Sequence, residues 1–229
     1  QRACEMKDGP ALIVATDINP DRLRELRERF LPVADANGRT LAVMNPNDFT
    51  PEAFEMELCE LSSGCGFDDV VALVPVPALV EQAALRCGYG GLLNIFAGVA
   101  RGTRVAMKLE DIYLRNVRWV GSSGSTIADM RETLRLAETG ELLTANAVAA
   151  IGGLNAVLDG LELVQAQAIP GKIVIYQQIE DLPLTRLSDL AAALPTVAAQ
   201  LRDGKYWTKD AEEELLRLKL RLPEAAAVP

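Results

Sequence analysis

The sequence predicts an α/β fold in which crossover helices flank a parallel sheet. Short apolar runs alternate along the chain with amphipathic helical segments, and turn-forming or polar residues follow the runs. The first apolar run, residues 11–17, stops at an acid, Asp17, and leads directly into a helix signal. An acid at the end of a parallel strand is typical of sheets that bind ligands at their carboxyl edge.

Six apolar runs are predicted to be strands. The runs at 70–74 and 92–96 are continuously apolar, as expected for strands that are buried on both faces. Pro, Gly or Asn follows most of the runs and ends them. The predicted strands are residues 11–17, 41–44, 70–74, 92–96, 117–120 and 173–176.

Helix signals lie between these runs. Asn19 can cap a helix with Pro20 in its first turn, and Thr50-Pro51 can open the next one. Further helices are predicted at about 78–87, at about 125–140 and after residue 153, and residues 181–222 are predicted to form helices broken near 195 and 204.

The composition excludes several function classes. The 229 residues carry a net charge of −9, which argues against a nucleic-acid or anionic-membrane surface because both need positive fields. The chain has no histidine, which excludes His-based triads and histidine zinc sites within it. No apolar run reaches the ~18 residues of a membrane span. Four cysteines without a C-x-x-C pair favour buried, reduced thiols in a cytoplasmic protein.

Asp17 is the leading candidate binding residue. A carboxylate at this strand end can accept hydrogen bonds from both hydroxyls of an adenosine ribose, and it repels a 2′-phosphate, so it favours NAD over NADP. The alternative is an acid that only forms the turn into the helix. Arg22 can approach the same adenosine from the helix start, and its alternative is a solvated helix charge.

The ends of the later strands carry further candidates. Ligands of open α/β sheets lie beyond the carboxyl ends of the strands, where small residues let the backbone approach. The alternative for any single strand end is a tight loop that binds no ligand. Three such strand ends that follow one another in chain order favour a ligand-binding groove. Lys172 can reach a pyrophosphate or is a surface lysine. The strand-end candidates are Val74, Pro75, Val76, Phe96, Ala97, Gly98 and Ser122.

The phosphate-binding glycine loop of a dinucleotide fold is expected about 20 residues before the ribose acid. Counting back from Asp17 places that loop before residue 1, so we expect the chain to be a fragment that lacks the first, central strand. The segment Gly88-Tyr89-Gly90-Gly91 precedes a predicted strand rather than following one. It is therefore predicted to be a helix stop and turn.

Several segments resemble the medium-chain zinc-type alcohol and polyol dehydrogenases over about residues 1–178. Two of them, residues 113–117 and 123–130, are most similar to the branch of L-sorbose 1-phosphate reductase-like members. The other segments that carry the resemblance are residues 13–23, 66–70, 90–98, 117–122 and 171–174.

The resemblance implies an incomplete Rossmann-type parallel sheet with flanking helices at 1–122, lacking its first strand and glycine loop. It also implies a return into a GroES-like catalytic domain at 123–180, followed by a helical extension and tail at 181–229. By position Asp17 takes the ribose, Arg22 the adenosine side and Lys172 the pyrophosphate, while Val74–Val76 and Phe96–Gly98 line the nicotinamide pocket.

The family implies NAD(P)-dependent hydride transfer with a polyol or sugar phosphate, assembly into a homodimer or tetramer, and a catalytic zinc held by the missing N-terminal part. No catalytic or metal-binding residue is assigned within this chain, which alone is expected to be inactive. Two other functions stay open: a non-catalytic interaction or dimerisation module, and an α/β ligand-binding domain without redox chemistry.

Overall fold

The structure is a computed structural model that describes residues 1–121, 124–166 and 168–220. The chain divides into two compact units, Gln1–Arg131 and Glu132–Pro229, and each is described by itself. The domain boundaries predicted at 122 and 180 rest on the family resemblance and stay a prediction.

The first unit alternates strands and helices. Its strands are β1 Leu12–Thr16, β2 Thr40–Met44, β3 Phe67–Ala72, β4 Cys87–Ile95 and β5 Arg118–Gly121. Its helices are α1 Arg2–Glu5, α2 Pro20–Ala36, α3 Pro51–Leu61, α4 Pro77–Leu85 and α5 Glu110–Leu114, and α6 Ile127–Glu138 crosses into the second unit. All strand pairs of the first unit are parallel, so the prediction of a parallel sheet with crossover helices is confirmed.

The strands of the first unit form two separate sheets. β1 pairs with β2, and β4 lies between β3 and β5. A doubly wound sheet has the strand order 3-2-1-4-5-6 and binds its ligand where the order reverses. In that order β2 and β1 correspond to positions 3 and 2, and β3, β4 and β5 correspond to positions 4, 5 and 6. No strand of the first unit takes position 1, which would lie between β1 and β3.

Two apolar clusters hold the first unit together. One, centred on Phe54 and Leu58 of α3, contacts Val14 of β1 and Phe67 of β3, and so connects the two sheets. The other lies between α4 and the three-stranded sheet. We call it the α4 cluster; its buried members are Ala72, Val80, Ala83, Ala84, Cys87, Leu93 and Val117.

The caps of the helices follow the sequence signals. The Asn19 side chain accepts hydrogen bonds from the backbone N–H groups of Asp21 and Arg22, and Pro20 occupies the first turn of α2. The Thr50 hydroxyl accepts a hydrogen bond from the Ala53 N–H and caps α3. Side-chain caps satisfy backbone donors that the helix itself leaves without a partner.

Replacing Thr50 by alanine is expected to lower the free energy of unfolding by about 1 kcal/mol, because the Ala53 N–H loses its capping acceptor. Urea denaturation followed by circular dichroism measures this change. Thr103→Ala, at an exposed position outside the helices, is the control and should change the stability little. Equal effects of the two substitutions would contradict the assignment of the cap.

The second unit packs a small sheet against a helical layer. Its strands are β6 Val148–Gly153, β7 Lys172–Tyr176 and β8 Thr185–Arg186, and its helices are α7 Val157–Gln165, α8 Leu190–Ala193, α9 Pro195–Ala198 and α10 Lys209–Leu220. β6 is parallel to β7 and antiparallel to β8. The core joins Ile151 of β6 and Tyr176 of β7 to Trp207 and to Leu215 of α10.

Some elements differ from the sequence prediction. β6 was not predicted, because its sequence from Val148 is rich in Ala and Gly and lacks a strand-like pattern. β4 begins at Cys87 and includes the glycine-rich segment that was predicted to be a turn. Of the cysteines, Cys4 and Cys87 are buried as predicted, but Cys59 and Cys65 are exposed. They flank the exposed turn that follows α3.

Candidate functional site

The carboxylate of Asp17 lies in the turn between β1 and α2. Its backbone N–H donates to the Met44 carbonyl, which fixes it beside the end of β2. One carboxylate oxygen, Oδ1, accepts the Asn19 N–H at 2.9 Å. The acid therefore does form the turn, but a carboxylate has about four acceptor positions, so it retains capacity to bind a ligand.

Arg22 lies one helical turn into α2. Its Nη1 is 3.5 Å from Asp17 Oδ2, and the two side chains are 37% and 32% exposed. A pair at this distance and exposure adds little to stability, but it keeps the guanidinium beside the carboxylate. The two candidates for the adenosine end are thus brought together.

A cleft of about 510 Å³ lies at the carboxyl ends of β4 and β5. Phe96, Ala97 and Gly98, all sequence candidates, line it. The residues that line it, as far as the structure describes them, are Ile95, Phe96, Ala97, Gly98, Val99, Trp119, Val120, Gly121 and Gly124. The volume is within the range of small-molecule sites.

Backbone contacts shape this cleft. The N–H groups of Phe96 and Ala97 both donate to the Ala72 carbonyl, at 3.1 and 2.9 Å, which ties the end of β4 to the end of β3. A Cβ at Gly121 would lie 3.0 Å from the Ile95 carbonyl oxygen, so the absence of a side chain at this position keeps β5 close to β4. The Phe96 ring itself is exposed.

The other candidates lie elsewhere. Val74, Pro75 and Val76 form the connection between β3 and α4 and are not among the residues that line the cleft. Lys172 is exposed at the start of β7, in the second unit. Ser122 lies outside the described residues.

Sequence reasoning missed Trp119, which lines the cleft from β5. Its register partner on β4 is Leu93, which is fully buried. The indole Nε1 is buried and has no hydrogen-bond partner. Period-2 alternation places Trp119 on the same face as Val117, but only the structure reveals an unpaired donor beside a cleft.

The described residues contain no group of three or more His, Cys, Asp or Glu side chains that could hold a metal ion. The described residues therefore do not fit a catalytic zinc site. Burial raises the pKa of the Cys87 thiol, against the opposing influence of Arg115, so Cys87 is a core residue rather than a nucleophile. No helix among the described residues is long and apolar enough to cross a membrane.

The fold is that of the medium-chain zinc-type alcohol dehydrogenases. The zinc dependent alcohol dehydrogenase 2 from Streptococcus pneumonia aligns with a TM-score of 0.59 at 23% identity, over 76% of this chain and 46% of that one. The 2R,3R-butanediol dehydrogenase from Bacillus subtilis aligns with a TM-score of 0.59 at 18% identity, over 77% and 46%. The predicted α/β fold class is confirmed.

Sequence relatives point to a branch of these enzymes. The chain is 32% identical over 215 residues to a mannitol-1-phosphate 5-dehydrogenase from Aliivibrio fischeri, covering 90% of this chain and 50% of that protein. It is 31% identical over 210 residues to an L-sorbose 1-phosphate reductase from Klebsiella pneumoniae, covering 91% and 48%. No protein-family model matches the chain. The predicted resemblance is confirmed, and the chain spans about half the length of these relatives.

Proposed function

We propose that these residues form the cofactor-binding part of an NAD(P)-dependent dehydrogenase that acts on a polyol or sugar phosphate. The observation that carries the proposal is the cleft at the carboxyl ends of parallel strands β4 and β5, the position at which open α/β sheets bind ligands. The acid at the end of β1 supports it, because a ribose acceptor belongs at that position.

Each candidate has a role in this proposal. Asp17 accepts hydrogen bonds from the adenosine ribose and Arg22 flanks the adenosine. The pyrophosphate role of Lys172, a residue of the second unit, is proposed on the family resemblance alone. Val74–Val76, Phe96–Gly98 and Ser122 border the nicotinamide half. The bound nicotinamide supplies hydride-transfer chemistry, and these residues bind and orient it.

The proposed cofactor is NAD rather than NADP. A carboxylate that binds the ribose hydroxyls repels a 2′-phosphate, and the Asp17 carboxylate lies 3.5 Å from Arg22 Nη1. One of the structural neighbours, a zinc-binding dehydrogenase from Sinorhizobium meliloti, is bound to NADP, so the choice within this fold depends on the residues at the ribose.

The proposed substrate is a phosphorylated polyol or ketose. Two curated relatives carry the names of sugar-phosphate enzymes, a mannitol-1-phosphate 5-dehydrogenase and an L-sorbose 1-phosphate reductase. Assembly into a homodimer or tetramer is proposed on the family resemblance alone. A zinc ion is proposed only for residues outside this chain.

We expect the intact protein to bind NADH and to transfer hydride between the cofactor and a phosphorylated hexitol or ketohexose. Calorimetry measures the binding, and absorbance at 340 nm follows the transfer. The unphosphorylated sugar is the matched control and should react more slowly. Binding of neither NADH nor NADPH would overturn the proposal.

A dimerisation module is the second candidate, and the three-stranded sheet favours it. The sheet face opposite the α4 cluster carries Val71 of β3 and Val120 of β5, which are both exposed and lie in one register row on either side of Asn94 of β4. Exposed apolar side chains grouped on one face are typical of interaction surfaces. Light scattering that shows a self-associating chain without nucleotide affinity would favour this candidate over the enzyme.

A further inference from the structure

A β-turn follows the strand end that lines the cleft. The Thr103 N–H donates to the Ala100 carbonyl at 3.1 Å, which places Arg101 and Gly102 at the centre of the turn. Gly102 has a φ of +90°, a positive value that favours glycine at this position of a type II turn. We call residues 100–104 the arginine turn, because Arg101 and Arg104 carry its charge.

The arginine turn lies between two fixed points of the first unit. Before it, Val99 lines the cleft, and after it, Val105 packs against the α4 cluster. Adjacent Cα atoms are about 3.8 Å apart, so the Cα of Arg101 lies at most about 7.6 Å from the Cα of Val99. Arg101 and Arg104 are both exposed. Their long side chains can therefore reach a ligand that extends out of the open cleft.

The arginine turn is positively charged in an acidic protein. The chain carries a net charge of −9, yet residues 82–109 contain no Asp or Glu. Within the part of the chain that the structure describes, neither Arg101 nor Arg104 makes an ion pair or a side-chain hydrogen bond, whereas Arg86 pairs with Glu55. Positive charge that no neighbouring acid offsets attracts an anion.

A phosphate monoester is the anion that best matches two exposed arginines. At neutral pH it carries a charge of about −1.5 to −2 and three strong acceptor oxygens. The planar guanidinium group binds phosphate through two parallel hydrogen bonds. Because the net negative charge of the chain repels such a ligand, binding it requires local cations.

We propose that Arg101 and Arg104 bind the phosphate group of a sugar-phosphate substrate whose reacting carbon lies in the cleft. The inference rests on the proposed function and deepens it, because it assigns the phosphate of the substrate to two residues of this chain. Both arginines hold the phosphate and take no part in hydride transfer. The arginine turn thus selects phosphorylated over unphosphorylated sugars.

The first test compares a phosphorylated with an unphosphorylated sugar on the intact protein. Arg101→Gln combined with Arg104→Gln should raise the KM for mannitol 1-phosphate about tenfold or more and change kcat little, because the lost hydrogen bonds join charged groups away from the reacting carbon. The KM for mannitol should stay unchanged. Arg24→Gln removes a charge from the exposed surface of α2; as the control it should leave both KM values unchanged. An equal rise for both sugars would mean a structural role and would overturn the inference.

A second test uses inorganic phosphate as the probe. Phosphate should inhibit the wild-type protein competitively against mannitol 1-phosphate, and the double glutamine variant should need about tenfold more phosphate for the same inhibition. Arg101→Lys combined with Arg104→Lys keeps both charges and should recover part of the affinity, because lysine binds phosphate as a point charge. Equal inhibition of the wild-type protein and the double glutamine variant would overturn the inference.

The third test separates two sources of phosphate, the substrate and the pyrophosphate of the cofactor. Calorimetry should show that the double glutamine variant binds NADH with an unchanged dissociation constant. Weaker NADH binding with an unchanged KM for mannitol 1-phosphate would assign the turn to the cofactor and overturn the inference. If the wild-type protein binds NADH and the variant behaves identically in all three tests, the role of the two arginines falls and the proposed function stands. If the wild-type protein binds neither NADH nor NADPH, the proposed function falls and the inference falls with it.

Discussion

Replacing Asp17 by asparagine is expected to weaken NADH binding by about 10- to 100-fold. Hydrogen bonds to a charged group contribute about 1.5–3 kcal/mol, and asparagine replaces one of the two carboxylate acceptors by a donor. The substitution spares the turn, because the asparagine Oδ1 can still accept the Asn19 N–H that Asp17 Oδ1 accepts at 2.9 Å. The loss therefore reports ligand binding rather than unfolding.

Cofactor choice should change with the same substitution. NADPH affinity should rise relative to NADH, because the charge that repels the 2′-phosphate is gone while Arg22 remains nearby. Calorimetric titration of both nucleotides gives the ratio. Asp21→Asn is the matched control, since Asp21 lies in the first turn of the same helix and pairs with Arg24 at the surface. Identical behaviour of the two variants would contradict the ribose assignment of Asp17.

Much of the first unit could be predicted from its sequence, because local signals and tertiary packing agree there. Asn19 and Thr50 cap helices where their residue types predict caps, and the run that ends at Asp17 contains β1. The strand β6 could not be predicted in this way. Its burial comes from contacts with residues distant in sequence, as in Ile151, which packs against the α10 layer, and its Ala- and Gly-rich sequence carries little strand signal.

The candidate site likewise has features that the sequence predicts and features that it does not. The turn from Phe96 to Gly98 was predicted because strand ends bind ligands whatever their detailed sequence, and these residues do line a cleft. The ion pair between Asp17 and Arg22 depends on how the turn orients α2, and the orphan donor of Trp119 depends on what surrounds the ring. Such features arise from three-dimensional packing, which a one-dimensional pattern does not encode.

The close approach at Gly153 governs the stability of the second unit. Gly153 ends β6 with φ −87°, a conformation that any residue adopts. A Cβ there would lie 2.5 Å from the Ile179 carbonyl oxygen and 3.0 Å from the Leu182 nitrogen. Two hydrogen bonds hold the same approach: Gly153 N–H to the Leu182 carbonyl at 2.8 Å, and Leu154 N–H to the Ile179 carbonyl at 2.7 Å. The contact positions the buried side chains of Ile179 and Leu182 in the core.

Replacing Gly153 by alanine should therefore lower the free energy of unfolding by about 3 kcal/mol, since overpacking costs about 1–3 kcal/mol and the two hydrogen bonds weaken as the segments separate. Gly160→Ala is the matched control in the same unit. Its Cβ would meet Ile173 at an ordinary 3.6 Å, and alanine is the better helix former, so α7 should gain about 0.5–1 kcal/mol. Urea unfolding followed by Trp207 fluorescence in a Trp119→Phe background measures both changes. Destabilisation of similar size by both substitutions would show that the close approach at Gly153 is not what limits the stability of this unit.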